Sequence, residues 1–284
     1  MENTSLKSVF EYFTKELSAY YPLTEIQSLY FIMMDDGFGY SKTYILTHYN
    51  SALMNAEIEK IKAFIARLKL NEPIQYILQK TSFYDLPFIV KPSVLIPRTE
   101  TEELVSIIIT ENKLRNNLSI LDIGTGSGCI PVCLAKAMPN AHIKSLDVSE
   151  QCLAIARENA LLNEVTISFL HADILHDTLE FQEIDIIVSN PPYVLDAEKE
   201  LMNHNVLDYE PHLALFVPDN DPLLFYRSII EKASRWLNRN GILYFEINEQ
   251  FGRHVSDCAS QYGFTESVII KDMFGKDRFV KISW

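Results

Sequence analysis

The first quarter of the chain carries apolar residues at helical spacing and contains little glycine. In residues 5–21 this spacing places four apolar side chains on one helical face: Leu6, Phe10, Phe13 and Leu17. Further helices are predicted from Pro22, Ser41 and Asn55, because proline suits the first helical position and serine and asparagine cap helices. Residues 1–75 are therefore predicted to form a small helical bundle.

The pattern changes between Pro73 and Arg98, where apolar and polar residues alternate and prolines interrupt the chain. Such alternation is typical of short strands, so "SFYDLPFIVKPSVLIP" is predicted to form a β-hairpin. We therefore expect a bundle over residues 1–75, a hairpin linker over 76–98 and a second domain over 99–284. A plain solvated linker is the alternative, but the segment is too apolar for one.

From about residue 100, apolar runs with strand character alternate with helical stretches. Seven strands are predicted: 119–124, 142–148, 166–173, 185–190, 241–248, 265–271 and 278–284. Alternation of strand and helix indicates an α/β fold with a mostly parallel sheet that helices cover on both faces. In such sheets, ligands bind at the carboxyl ends of the strands.

The composition is that of a folded globular protein, with 48% hydrophobic and 22% charged residues. The formal net charge is −13, and an acidic surface repels polyanions on average. We therefore expect a small ligand or a protein partner, and no direct contact with nucleic acid.

The cysteines lack the C-x-x-C spacing of a metal site, and we expect no metal. Cys129 and Cys133, four residues apart on one predicted helix, are expected to serve as small buried hydrophobes. The N-terminus lacks the apolar core of a signal peptide, and no apolar run is long enough to span a membrane. These features predict a cytoplasmic protein that does not enter the membrane.

The segment "LDIGTGSG" places a glycine loop directly after the first strand of the sheet. Glycines allow a tight turn and let a ligand approach the backbone, so the loop supplies candidate cofactor-binding residues: Gly124, Thr125, Gly126, Ser127 and Gly128. The spacing G-x-G-x-G differs from the G-x-G-x-x-G of dinucleotide-binding proteins. Asp122, just before the loop, disfavours a pyrophosphate and favours a cationic ligand.

Two further carboxylates are predicted at strand ends. Asp147 ends the second strand, where its oxygens can accept hydrogen bonds from both hydroxyl groups of a ribose. The alternative is a cap for the following helix, but Ser149 can supply that cap. Asp173 ends the third strand and can accept from an adenine amino group, with Ile174 against the ring, although aspartate is also a common turn residue.

The apolar strand "IDIIVSN" ends in Asn190, Pro191, Pro192 and Tyr193. Asn190 has a side-chain oxygen, Pro191 has a backbone carbonyl, and neither proline has an N–H group, so the turn is stiff and rich in hydrogen-bond acceptors. Two acceptors suit the two hydrogens of a substrate NH2 group, and Tyr193 can stack on the planar group that carries it. The alternative is a structural turn, which the glycine loop and Asp147 disfavour.

Together, "LDIGTGSG", the strand-end Asp147 and "NPPY" resemble the class I S-adenosylmethionine-dependent methyltransferases that act on planar nitrogens. Residues 71–105, "NEPIQYILQKTSFYDLPFIVKPSVLIPRTETEELV", resemble the signature linker of the HemK/PrmC family. These enzymes are the protein-(glutamine-N5) methyltransferases of peptide chain release factors. "DYEPHLALF" (208–216), "FYRSI" (225–229) and "GKDRFV" (275–280) are also similar to that family, so the resemblance covers essentially the whole chain.

The resemblance implies a Rossmann-like domain that uses S-adenosyl-L-methionine and releases S-adenosyl-L-homocysteine. It implies that the glycine loop and Asp147 bind the cofactor, that Ile174 lies by the adenine, and that residues 190–193 hold the glutamine amide, with Asn190 also near the cofactor. The implied substrate is the glutamine of the Gly-Gly-Gln loop in class 1 release factors. We expect the helical bundle to recognise this partner and the enzyme to be a monomer.

Three positions depart from the family pattern. Gln79 stands where the family often has glycine, and Thr99 replaces the second proline of "IPRPET". The segment "VPDNDPLLF" (217–225) lacks the glycines that are common there. All three lie in the hairpin region or in a loop, so they bear on local geometry more than on activity.

The chemistry that these residues predict is mainly alignment, because an amide nitrogen is a weak nucleophile and a sulfonium is an activated methyl donor. Asn190 and the Pro191 carbonyl would hold the two N–H bonds and stabilise the growing positive charge, and no general base is evident. Two alternatives stay open: an adenine-N6 methyltransferase acting on DNA or RNA, and a non-catalytic scaffold. The acidic surface disfavours the first, and the intact motifs disfavour the second.

Overall fold

The computed structural model describes residues 5–284 of the chain. The chain divides into two compact units: the residues up to Lys80 with Asn203–Tyr209, and Thr81–Met202 with Glu210–Trp284. The α-helices of the described residues are α1 (Leu6–Leu17), α2 (Leu23–Phe38), α3 (Lys42–Thr47), α4 (Asn55–Leu68), α5 (Ile74–Leu78), α6 (Thr99–Asn112), α7 (Cys129–Ala137), α8 (Glu150–Leu162), α9 (His204–Leu207), α10 (Leu224–Trp236) and α11 (Gly252–Gln261). None of these helices is both long enough and apolar enough to cross a membrane.

The first unit has its own apolar core, to which α1, α2 and α4 each contribute one face. Of the four side chains predicted to share a face of α1, three are buried and Phe10 is partly buried against the same core. Ser41 caps α3, since its hydroxyl accepts from the backbone nitrogen of Tyr44 at 3.2 Å. The helices predicted for this region are confirmed.

Two predicted helix starts differ by one residue from the structure. Pro22 precedes α2 and does not open it. Asn55 does not cap α4 but is its first residue, and the cap position is Met54. The backbone nitrogen of Met54 donates to Glu57 Oε2 at 2.7 Å. Because this carboxylate satisfies an N–H group that the helix start leaves unpaired, α4 can begin earlier than an Asn55 cap would allow.

A two-stranded hairpin follows α5 and consists of β1 (Lys80–Phe83) and β2 (Leu86–Ile89). The turn residues Tyr84 and Asp85 have φ of 51° and 60°, which is typical of a tight two-residue hairpin turn. The predicted hairpin is confirmed, but it starts later than residue 76. Ile77 is instead buried in the core of the first unit, which draws α5 into that unit.

The second unit contains a large sheet and one small strand pair. Its strands are β3 (Ser119–Ile123), β4 (His142–Asp147), β5 (Ser168–His171), β6 (Ile184–Ser189), β7 (Val194–Leu195), β8 (Phe216–Val217), β9 (Leu237–Glu246), β10 (Glu266–Lys271) and β11 (Asp277–Ser283). The central sheet has the order β10-β11-β9-β6-β3-β4-β5, and β7 pairs with β8. Within this sheet, β11 runs antiparallel to both β10 and β9, and the other six strands run in one direction. The predicted seven-stranded, mostly parallel sheet is confirmed.

Helices cover both faces of this sheet. One face packs against α6 and α7 together with Phe83 and Phe88 of the hairpin, and the other packs against α10 and α11. Cys129 and Cys133 lie buried on α7, as predicted, and all four cysteines are free. The strand order reverses at β3, which has β4 on one side and β6 on the other. Such a reversal opens a crevice at the carboxyl ends of the strands.

Candidate active site

Four strand ends meet at the carboxyl edge of the sheet because the register aligns them. Ile123 of β3 pairs with Leu146 of β4 and with Ser189 of β6. Ser189 pairs in turn with Phe245 of β9. The next residue on each strand therefore reaches the same edge: Gly124, Asp147, Asn190 and Glu246.

A cavity of about 400 Å³ opens at this edge, within the second unit. Its volume falls in the range of small-molecule binding sites. Most of the residues predicted for the site line this cavity: Gly124, Thr125, Gly126, Ser127, Asp147, Asp173, Ile174, Asn190, Pro191 and Pro192. Asp122, Gly128 and Tyr193 were also predicted for the site but are not part of its lining.

The glycine loop needs glycine at three positions, for two different reasons. Gly124, Gly126 and Gly128 all have positive φ, at 79°, 53° and 81°, where other residues are strained. A Cβ atom at Gly124 or Gly126 would meet nothing within 4 Å, so open space lies beside the backbone there. A Cβ atom at Gly128 would lie 3.0 Å from the Cβ of Ala156, so this glycine permits close packing of the loop on α8.

Asp147 organises the loop and also faces the cavity. Its Oδ2 accepts from the backbone nitrogen of Gly126 and its Oδ1 from that of Ser149, both at 2.9 Å. Burial raises the pKa of this carboxyl. Each carboxylate oxygen can accept a second hydrogen bond, so Asp147 keeps acceptor capacity for a ligand. Ser149 caps α8, its hydroxyl accepting from Cys152 N at 3.2 Å, as predicted.

Asp122 lies beneath the loop and has no exposed surface. Its Oδ2 accepts from the hydroxyl of Ser145, on the neighbouring strand β4, at 2.7 Å. Burial raises the pKa of Asp122 to about 7. The side chain therefore contacts the sheet under the glycine loop, and a direct contact with a ligand stays a prediction.

Asp173 forms a turn at the rim of the cavity. Its Oδ1 accepts from Leu175 N at 2.8 Å, and its Oδ2 lies 2.8 Å from His176 Nδ1. Ile174 is buried and lines the cavity, and its carbonyl accepts from the hydroxyl of Ser228 at 2.8 Å. The turn role of Asp173 is present in the structure, whereas its contact with an adenine stays a prediction.

Asn190 is held by a chain of hydrogen bonds. Its Nδ2 donates to Thr101 Oγ1 at 3.2 Å, and Thr101 Oγ1 donates to Glu246 Oε2 at 2.6 Å. Tyr193 Oη donates to the other carboxylate oxygen, Oε1, at 3.0 Å. Burial raises the pKa of Glu246. The phenol of Tyr193 is thus engaged by Glu246, and stacking of its ring on a substrate stays a prediction.

Thr101 and Glu246 are candidates that the sequence patterns do not identify. The signal for Glu246 is a carboxylate inside the apolar run "GILYFEIN", since buried charged residues require partners. Arg98 and Glu210 are a second such pair, with Arg98 Nη2 donating to Glu210 Oε1 at 2.6 Å. This pair joins the segment before α6 to the segment before β8, and residues of both line the cavity.

Family models match both parts of the chain. The model described as "PrmC N-terminal domain" matches residues 9–78, and "Methyltransferase small domain" matches residues 101–209. Among solved structures, a methyltransferase from Pyrococcus furiosus has a TM-score of 0.51, with 20% sequence identity over 76% of this chain and 95% of that one. This likeness concerns the fold alone, which is that of a methyltransferase.

Curated relatives cover almost the full length of the chain. A release factor glutamine methyltransferase of Flavobacterium psychrophilum is 46% identical over 98% of this chain and 99% of its own length. A second, from Bacteroides thetaiotaomicron, is 42% identical over 97% of this chain and 99% of its own length. The chain therefore belongs to the HemK/PrmC family of release factor glutamine methyltransferases.

Proposed function

We propose that this enzyme transfers a methyl group from S-adenosyl-L-methionine to the side-chain amide nitrogen, N5, of the glutamine in the Gly-Gly-Gln motif of class 1 peptide chain release factors. The observation that carries this proposal is the orientation of the Asn190 side-chain amide. Its NH2 group donates one N–H to Thr101, which leaves its carbonyl oxygen available to accept a hydrogen bond from a substrate. The choice of a release factor as the protein substrate rests on the names of the relatives and on their similarity over almost the full chain.

The cavity suits the cofactor on three counts. Open space beside Gly124 and Gly126 lets a ligand approach the loop backbone. Asp147 has acceptor capacity for the hydroxyl groups of a ribose, and Ile174 offers an apolar wall for an adenine ring. S-adenosyl-L-methionine supplies, when bound, a methyl group activated by a sulfonium sulfur, and S-adenosyl-L-homocysteine is released.

The turn at residues 190–193 suits a primary amide. Asn190 Oδ1 and the Pro191 carbonyl would each accept one N–H bond of the glutamine side chain, which fixes the plane of the NH2 group. The two prolines contribute no N–H donor that would compete for these acceptors. Held in this way, the nitrogen lone pair points at the methyl group, and the two acceptors stabilise the positive charge that grows on nitrogen.

The first unit is the part of the chain that we assign to recognition of the release factor. It has a core of its own and exposes large apolar side chains, among them Tyr20, Leu23 and Leu46. Exposed apolar side chains of this kind are suited to binding a protein surface more than a small molecule. We further propose that the enzyme acts as a monomer in the cytoplasm. We expect no direct contact with nucleic acid.

Transfer of labelled methyl groups tests the proposed function. The purified enzyme and tritiated S-adenosyl-L-methionine are mixed with one of three substrates: a class 1 release factor, the same factor with its Gly-Gly-Gln glutamine changed to alanine, and genomic DNA. We expect label only in the unaltered factor. Label in DNA would show that the acceptor pair binds adenine, and label in both factors would place the methyl group on another residue.

A further inference from the structure

A buried relay of hydrogen bonds joins the substrate turn to the interior of the second unit. It runs from Asn190, after β6, through Thr101, in the first turn of α6, to Glu246, the last residue of β9. Thr101 is 3% exposed and Glu246 is 1% exposed. Tyr193, from the same turn as Asn190, donates to the second oxygen of Glu246. Both oxygens of the carboxylate therefore accept a hydrogen bond from a side chain.

The relay has a fixed direction because an ionised carboxylate only accepts hydrogen bonds. Thr101 has a single hydroxyl proton, and that proton is used by Glu246 at 2.6 Å. The Thr101 oxygen can then only accept from Asn190, which must turn its NH2 group toward it. The Asn190 carbonyl oxygen is left for a ligand.

The direction matters because the two ends of an asparagine amide are nearly equal in shape. A half-turn of the Asn190 amide would place its NH2 group where a substrate NH2 group must bind. Two donors would then face each other, and the substrate nitrogen would lose one of its two acceptors. The side chain of Asn190 alone does not select the productive orientation.

We propose that Thr101 and Glu246 are positioning residues that set the orientation of Asn190, so that it presents an acceptor to the substrate amide. This proposal rests on the proposed methylation of a primary amide by the same site. Burial raises the pKa of Glu246 and the charge of Glu100 adds to this effect, whereas hydrogen bonds from Thr101 and Tyr193 and the positive charge of Arg278 oppose it. The ionised form is the one that fixes the direction of the relay.

Substitutions at Thr101 separate this role from a general packing role. Thr101→Val keeps the shape of the side chain and removes the hydroxyl, whereas Thr101→Ser keeps the hydroxyl. We expect Thr101→Val to lower kcat on the release factor by about tenfold to a hundredfold, because one positioning hydrogen bond is lost. The dissociation constant of S-adenosyl-L-methionine should change little, whereas the Tm should fall, because Thr101→Val leaves the buried Glu246 Oε2 without its hydrogen bond. Thr101→Ser keeps the hydroxyl and should therefore retain most of the kcat of the unaltered enzyme.

Coupling to Asn190 gives a readout that a packing defect would not produce. In an Asn190→Ala background, no amide remains to be oriented, so adding Thr101→Val should cause no further loss of kcat. Glu246→Leu is a second test of the relay. It removes the acceptor, which frees the Thr101 proton for Asn190 Oδ1, so we expect a lower kcat in the folded variant.

The outcomes separate failure of this proposal from failure of the proposed function. If the unaltered enzyme does not methylate the release factor, the proposed function is wrong. If the unaltered enzyme methylates it, full kcat in folded Thr101→Val or Glu246→Leu overturns the positioning role. Equal losses in Thr101→Val and Thr101→Ser, or additive losses with Asn190→Ala, also overturn it.

Discussion

Asp147 combines two tasks in one side chain. Its carboxylate holds the glycine loop through Gly126 N and the start of the following helix through Ser149 N. The remaining acceptor capacity of its oxygens points to binding of a ribose. We expect Asp147→Ala to raise the dissociation constant of S-adenosyl-L-homocysteine by about tenfold or more, measured by titration calorimetry.

The ribose role of Asp147 can be separated from its loop role by changing the ligand. The control ligand is an S-adenosyl-L-homocysteine analogue that lacks both ribose hydroxyl groups. The unaltered enzyme should bind this analogue more weakly than the natural ligand, and Asp147→Ala should bind the two ligands with similar affinity. An undiminished preference for the natural ligand in Asp147→Ala would refute the ribose role.

Individual site residues could be predicted from sequence where a local pattern carries them. Asp147 ends an apolar strand, the glycine loop and Asn190 directly follow one, and the strand register brings them to one cavity. Thr101 and Glu246 carry no such signal. Thr101 is separated from Asn190 by 89 positions and from Glu246 by 145, so only the folded chain shows their hydrogen bonds.

At the scale of elements, Gln79 ends α5 in a conformation that favours glycine. It is the C-cap residue and has φ of 55°, in the left-handed region. A side chain with a Cβ atom is strained there, which explains why the family often has glycine at this position. We expect Gln79→Gly to increase the free energy of unfolding by about 0.5–1 kcal/mol, after the flexibility of glycine in the unfolded chain is subtracted.

Gln79→Ala is the matched control for the strain at this helix end. Alanine removes the long side chain but keeps the Cβ atom, so it should show no comparable gain. Urea unfolding of the two variants and the unaltered protein gives the comparison. A gain in Gln79→Ala equal to that in Gln79→Gly would assign the effect to the glutamine side chain and not to the backbone.

The other departures from the family pattern also have a structural explanation. Thr99 is the first residue of α6, a position where proline is favourable but not required. In the segment 217–225 no residue has positive φ, so its turn does not need glycine.

Strand periodicity was sufficient to predict every strand of the central sheet. The start of α4 depends on the hydrogen bond that Glu57 accepts from Met54 N. The start of the hairpin depends on burial of Ile77 in the core of the first unit. Local sequence patterns show neither of these contacts.

At the scale of the whole molecule, the two units divide the expected tasks. The second unit holds the cavity, the glycine loop and the acceptor turn, and the first unit has a separate helical core. The net charge of −13 fits a protein partner better than a nucleic acid. Methylation should therefore depend on a folded release factor as well as on the glutamine itself.

Tandem mass spectrometry of a class 1 release factor, incubated with the enzyme and S-adenosyl-L-methionine, tests the assigned chemistry most directly. We expect a single added methyl group on the side-chain amide of the Gly-Gly-Gln glutamine. The Asn190→Ala enzyme should still bind the cofactor but leave the factor largely unmodified, because the substrate nitrogen loses an acceptor. A methyl group on another residue, or full modification by Asn190→Ala, would contradict the role given to the acceptor turn.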